Sequence, residues 1–115
     1  MSIERFEDLI AWQKSKELSI SIYKSFQEHR DLAFKDQIQR AAVSIMNNIA
    51  EGFERRSNKE FRQFLFIAKG SCAEVRSMLY LALEIEKISE EKSKSLLHQA
   101  EELGRIIGGL IKSLP

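Results

Sequence analysis

Cysteine, proline and histidine are scarce in this 115-residue sequence, which holds one, one and two of them. A single cysteine excludes an intrachain disulfide and is typical of proteins from a reducing compartment. The sequence also lacks a run of about 18 uncharged apolar residues, and its acidic start, MSIERFEDL, is unlike a secretory signal. We therefore expect a cytoplasmic protein with no membrane partner.

The low histidine content argues against a metal centre. A di-iron helical bundle needs Glu-x-x-His motifs, and neither His29 nor His98 has a carboxylate three residues before it. Cys72 lies among apolar residues at helical spacing, which favours a buried structural thiol over a nucleophile. We expect no enzymatic activity, no catalytic residue, no metal and no cofactor.

Neither sign of charge predominates, since the formal net charge is +1. Any preference for nucleic acid must therefore arise from local clustering of charge. Apolar residues make up 43% of the chain and charged residues 30%, the composition of a soluble helical protein. A chain of this length forms one domain with a single core, which we assign to residues 1–115.

Four segments carry apolar residues at the three- and four-residue spacing of a helix face. The predicted helices span about residues 7–28, 33–54, 58–87 and 90–113. Asp31, Ser57 and Ser89 are suited to cap the last three, and Ser57 with Glu60 forms a capping-box pattern. Short connections between such helices predict an all-α fold, an antiparallel up-down-up-down four-helix bundle.

The third predicted helix carries the longest apolar seam. Its seam residues alternate at spacings of four and three: Phe61, Leu65, Ala68, Cys72, Val75, Leu79 and Ala82. In the second helix, Ala41 and Ala42 are small enough for a close helix crossing. In the fourth, Gly104, Gly108 and Gly109 predict a close crossing or fraying near the end.

The second and third helices carry apolar residues on two faces, more than one protomer of this size buries well. We expect the remaining surface to lie between subunits of a homo-oligomer. That surface should include some of Phe53, Phe64, Phe66, Ile67 and Tyr80.

Two motifs, SIxxNIAEG and IAxGSxxE, resemble the four-helix-bundle proteins encoded in intervening sequences of bacterial 23S ribosomal RNA genes, and the likeness covers nearly the whole chain. Its main positions are Gln37, Arg40, Ala41, Ser44, Asn48, Glu51, Gly52, Gly70, Ser71 and Glu74. The resemblance implies a structural role for them, and a protomer commonly assembled as a ring-shaped homopentamer without established enzymatic activity. A related branch, the accessory protein of diversity-generating retroelements, associates with a reverse transcriptase and nucleic acid.

Glu51 and Glu74 are carboxylates within otherwise apolar stretches. They are suited to act as a general acid pair. The interpretation we favour is that each caps a helix end or pairs with a basic residue, with Arg40 and Arg76 as the expected partners.

Basic residues cluster around the start and middle of the third helix. They are Arg55, Arg56, Lys59, Arg62, Lys69 and Arg76. The last four share one helical stripe, with Phe66 and Ala73 in its gaps, and such a stripe is able to follow a phosphate backbone while a ring stacks on a base. A solvated outer face and a subunit interface around Phe66 are the alternatives.

Two functional hypotheses follow from these patterns. The first is a non-catalytic, self-assembling protein that binds RNA or DNA through the basic stripe. The second is a structural scaffold that recruits a protein partner and binds no nucleic acid.

Overall fold

The computed structural model describes residues 3–85 and 87–115, which form four α-helices after a short 3-10 helix. The 3-10 helix is Phe6–Asp8, and the α-helices are α1 (Ile10–Ser25), α2 (Leu32–Glu54), α3 (Asn58–Glu84) and α4 (Glu90–Ser113). No strand occurs in the described residues. The predicted all-α class is therefore confirmed.

Side-chain caps begin three of the four helices, as the sequence predicts. A carboxylate oxygen of Asp31 accepts a hydrogen bond from the amide of Phe34 at the start of α2. The Ser57 hydroxyl accepts from the amide of Glu60 in α3, and that of Ser89 from the amide of Lys92 in α4. These bonds satisfy amides that have no partner within the helix, which sets where each helix begins.

The first helix is shorter than predicted. Leu9 adopts an extended backbone with φ −74° and ψ 128°, and it separates the 3-10 helix from α1. Leu9 is buried, so its side chain is part of the core although the residue lies outside α1. At the far ends, Phe26 caps α1, and Ile85 caps α3 ahead of the predicted residue 87; Glu86 lies outside the described residues.

Helix α3 runs antiparallel to α2 and to α4, because residues later in α3 contact residues earlier in each of the other two helices. Glu74 and Ser71 of α3 meet residues 37 and 44 of α2, in that order. Cys72 likewise contacts the Ala100 carbonyl of α4, whereas Arg62 reaches the Leu114 carbonyl. Helices α1 and α4 also contact each other, so the four helices close into a bundle of 43 × 21 × 19 Å.

The core lies along the bundle axis and takes residues from every α-helix. All seven predicted seam residues of α3 are buried. Ala41 and Ala42 are buried in α2, and Ile22 and Ile107 bring apolar bulk from α1 and α4. Among the described helices, none combines the length and the apolarity needed to cross a bilayer.

Candidate nucleic-acid interface

A groove of about 710 Å³ runs along the outside of the bundle between α3 and α4. Its α4 side contains Gly104 and Gly108, where the absence of side chains leaves the space open. A Cβ added at Gly104 would lie 3.9 Å from the Cys72 sulfur, and one at Gly108 would lie 3.8 Å from Lys69 Nζ. These glycines lie within a continuous helix, so α4 does not fray at them, and a Cβ at either would make only an ordinary van der Waals contact with α3.

Four cationic side chains line this groove, which we call the cationic groove. Lys69 and Arg76 project from α3, and Arg105 and Lys112 project from α4, while Glu101 is the carboxylate among the lining residues. Within the described residues, none of the four forms an ion pair. Their mutual repulsion is thus not relieved inside the protein, and an anion in the groove would relieve it.

The Arg76 guanidinium is the least satisfied of these groups. Its Nε atom is buried and finds no hydrogen-bond partner among the described residues. Arginine presents several donors in a fixed planar arrangement that matches phosphate and carboxylate oxygens. The other donors of the Arg76 guanidinium are thus candidates to bind an anion in the groove, together with the remaining three cations.

An aromatic ring and a thiol complete the lining. Phe66 is 55% exposed, an unusual position for a phenylalanine, and it lies three residues before Lys69 on the α3 wall. Cys72 is only 1% exposed and donates to the Ala100 carbonyl at 3.2 Å. Burial raises the pKa of the Cys72 thiol to about 11, although the charge of Arg76 lowers it in part. The thiol thus stays neutral and contributes packing.

The structure separates the six basic residues predicted as a site. Of these, Lys69 and Arg76 line the cationic groove. Arg55 instead pairs with Glu51 and Glu60. These ion pairs neutralise Arg55, whereas Lys69 and Arg76 have no such partners among the residues that the structure describes.

The three remaining predicted cations lie outside the groove. Arg56 stacks on the Phe53 ring and donates to the Glu4 carbonyl, with a left-handed backbone at φ 57°. Arg62 donates to the carbonyls of Leu114 and Pro115, and Lys59 is exposed. Of the four residues of the predicted stripe, Lys69 and Arg76 therefore line the groove, whereas Lys59 and Arg62 lie outside it.

Sequence reasoning missed Arg105 and Lys112. They lie seven residues apart and share one face of α4, so a weak periodic signal was present. Only the tertiary structure shows that this face lies across the groove from Lys69 and Arg76, so that the four cations form one site.

A second polar surface, between α2 and α3, holds the residues of the two sequence motifs. Gln37 donates to a Glu74 carboxylate oxygen, and the hydroxyls of Ser44 and Ser71 lie 3.0 Å apart. Asn48 donates to the Ser44 carbonyl and hydroxyl within α2. The contacts of Gln37 with Glu74 and of Ser44 with Ser71 join the two helices, and Asn48 orients Ser44 from within α2.

Close packing continues this surface toward the end of α2. Gly52 is buried, and a Cβ placed there would lie 2.5 Å from the Cβ of Phe64. Gly70, by contrast, is exposed, with open space around it. Only the first glycine is required by the approach of α3.

Residues 7–109 match the model of the 23S rRNA-intervening sequence protein family. The chain belongs to this family. It is similar to a solved structure of a protein with unknown function from the S23 ribosomal protein family of Bacteroides thetaiotaomicron. The two share 28% identity with a TM-score of 0.84, over 90% of this chain and 100% of that one. No curated protein matches the chain.

The two motif carboxylates of this 23S rRNA-intervening sequence protein do not take the expected partners. Glu51 pairs with Arg55, and Glu74 accepts from Gln37, whereas Arg40 pairs with Asp36 at 2.8 Å.

The same contacts separate the two carboxylates. Glu51 follows Gln37 by fourteen residues, about 21 Å along α2 at 1.5 Å per residue. Because Gln37 is the residue of α2 that meets Glu74, the carboxylates are too far apart to act as one acid pair.

Proposed function

We propose that this protein is a non-catalytic, self-assembling helical bundle of the cytoplasm that binds RNA or DNA through the cationic groove. The observation that carries the proposal is that, in the part of the chain that the structure describes, four cations without ion-pair partners lie beside one lining carboxylate. A phosphate backbone presents repeated negative charges, and its neutralisation releases condensed counterions.

Self-assembly is supported by apolar side chains on the outer surface of α3. Ile67, Tyr80 and Leu81 are each half exposed or slightly more, although they lie on one helix. Burying such side chains between subunits would stabilise an oligomer by removing them from water. The expected number of five subunits comes from the family resemblance. Light scattering should give five times the mass of one chain, and a monomer at micromolar concentration would contradict assembly.

The same exposed side chains support the alternative function of a protein scaffold. In that case the oligomer recruits a protein partner through α3 and the groove cations remain solvated. The two functions differ in whether the purified protein retains nucleic acid.

Charge reversal tests the nucleic-acid proposal. Lys69→Glu with Arg105→Glu changes one cation on each wall of the groove. Lys24→Glu with Lys92→Glu is the control, because it alters net charge equally at exposed positions outside the groove. We expect the groove variant to lose binding of long single-stranded RNA at low salt and the control to retain it, with helical content unchanged in both.

Salt dependence gives an independent measure of the contacts. Each phosphate neutralised on a single strand contributes about −0.7 to the slope of log affinity against log salt, so four contacts per protomer give about −3. Long strands should bind more tightly than short ones, because an oligomer presents several grooves to the same strand. Failure of the wild type to retain long RNA or DNA at low salt would reject this function in favour of the scaffold. A change of oligomer size in the groove variant would assign these cations to a subunit interface.

A further inference from the structure

The cations of the groove are arranged along its length. Lys69 and Arg76 are seven residues apart on α3, and Arg105 and Lys112 are seven residues apart on α4. At 1.5 Å per residue, each pair covers about 10 Å. A single phosphate ion reaches only part of such a row, whereas a chain of phosphates can contact all of it.

The width of the groove limits which nucleic acid can enter. The two walls belong to helices in direct contact, since the Cys72 thiol donates to the Ala100 carbonyl between them. Axes of packed helices lie about 8–10 Å apart. A groove between them is narrower than a duplex and admits one strand.

The exposed ring of Phe66 adds a surface for a base. It lines the groove three residues from Lys69, so a ring and a phosphate-binding group lie within one helical turn. Aromatic rings bind single strands by stacking on bases, which is possible only where the bases are unpaired.

We infer that the cationic groove is a single-strand site, in which Phe66 stacks on a base and the cations of both walls hold the phosphates. The inference rests on the proposed function and specifies its ligand. The strand lies along Gly104 and Gly108, which line the groove and contribute no side chain to fill it.

Fluorescence anisotropy with a labelled single strand, and with the duplex formed from it and its complement, tests this selectivity. We expect the single strand to bind at least tenfold more tightly at the same ionic strength. RNA and DNA strands of one sequence should bind within a few-fold of each other, because phosphates and base faces are common to both.

Phe66→Leu removes the aromatic face and keeps an apolar side chain. Loss of one stacked base should weaken single-strand binding by about five- to 150-fold. Tyr23→Leu is the matched control, since Tyr23 is a half-exposed aromatic residue of α1 outside both the groove and the apolar surface of α3, and the affinity of this variant should equal that of the wild type.

Gly104→Ala with Gly108→Ala places two methyl groups on the floor of the groove, at ordinary contact distances from Cys72 and Lys69. We expect a higher melting temperature, because alanine favours helix over glycine, together with weaker binding. Gly70→Ala is the control, because it makes one such change in helix propensity on α3 away from the groove.

The outcomes separate this inference from the proposed function. Equal affinity for duplex and single strand, with the groove cations still required, would overturn the single-strand site and leave nucleic-acid binding intact. Unchanged affinity in Phe66→Leu, or an altered oligomer size in that variant, would also overturn it. Absence of binding to every nucleic acid would reject the proposed function itself.

Discussion

The substitution Gly52→Ala should destabilise the protein even though alanine favours helix. The added Cβ would lie 2.5 Å from the Cβ of Phe64 and 3.2 Å from the Cδ1 of Phe61, whereas ordinary contacts begin near 3.4 Å. Phe64 cannot rotate away, because its Cβ is bonded directly to the backbone of α3. Relief of the clash requires α2 and α3 to separate by nearly 1 Å at this point.

Two opposing effects set the change in the free energy of unfolding caused by Gly52→Ala. Overpacking of this kind costs about 1–3 kcal/mol, and the helix propensity of alanine over glycine returns about 1 kcal/mol. Gly52→Ala should therefore lower the free energy of unfolding by up to about 2 kcal/mol. Gly70→Ala, with nothing within 4 Å of its Cβ, should raise it by about 0.5–1 kcal/mol.

Urea denaturation followed by far-UV circular dichroism measures both variants, at one protein concentration because assembly shifts apparent stability. The difference between the two variants isolates the steric cost, since the gain in propensity is common to both. Truncation of the Phe64 ring to alanine should not rescue Gly52→Ala, because the clashing Cβ remains. Equal stability of Gly52→Ala and Gly70→Ala would refute the close crossing of α2 and α3.

Three further predictions concern the core and the surface between α2 and α3. Ala42→Leu should reduce the free energy of unfolding by about 1–3 kcal/mol, because Ala42 has no exposed surface; an unchanged urea midpoint would contradict this. A double-mutant cycle of Ser44→Ala and Ser71→Ala should give a coupling of about 0.5–1.5 kcal/mol for their hydrogen bond, and additive effects would show that no bond forms. Because the folded-state pKa of Cys72 is raised from 9.0 to about 11, the stability from its neutral thiol is complete below pH 9 and lost as pH rises toward 11. The melting temperature of the wild type should thus fall more steeply over that range than that of Cys72→Ala, and parallel curves would disprove the shift.

The sequence by itself determined the helices and the core of this protein, because both depend on contacts within one or two helical turns. A seam residue such as Leu65 recurs at spacings of three and four, which places the whole seam on one face wherever the helix lies. A cap such as Ser57 bonds an amide three residues away, so its effect is equally local. The break at Leu9 escaped prediction because an extended residue can also supply an apolar side chain to the core.

Only the tertiary structure decided which charged residues come together. Arg105 and Arg76 line the same groove because α4 packs against α3 with Gly104 and Gly108 turned toward that helix, and the charge pattern of either helix alone does not specify that rotation. The partner of Glu74 depended likewise on the register between α2 and α3, which brought Gln37 to it in place of a basic residue, whereas Glu51 pairs with Arg55 four residues further along the chain. Long flexible side chains reach several neighbours at similar cost, so the partner is selected by the packing of the helices and not by the identity of the residue.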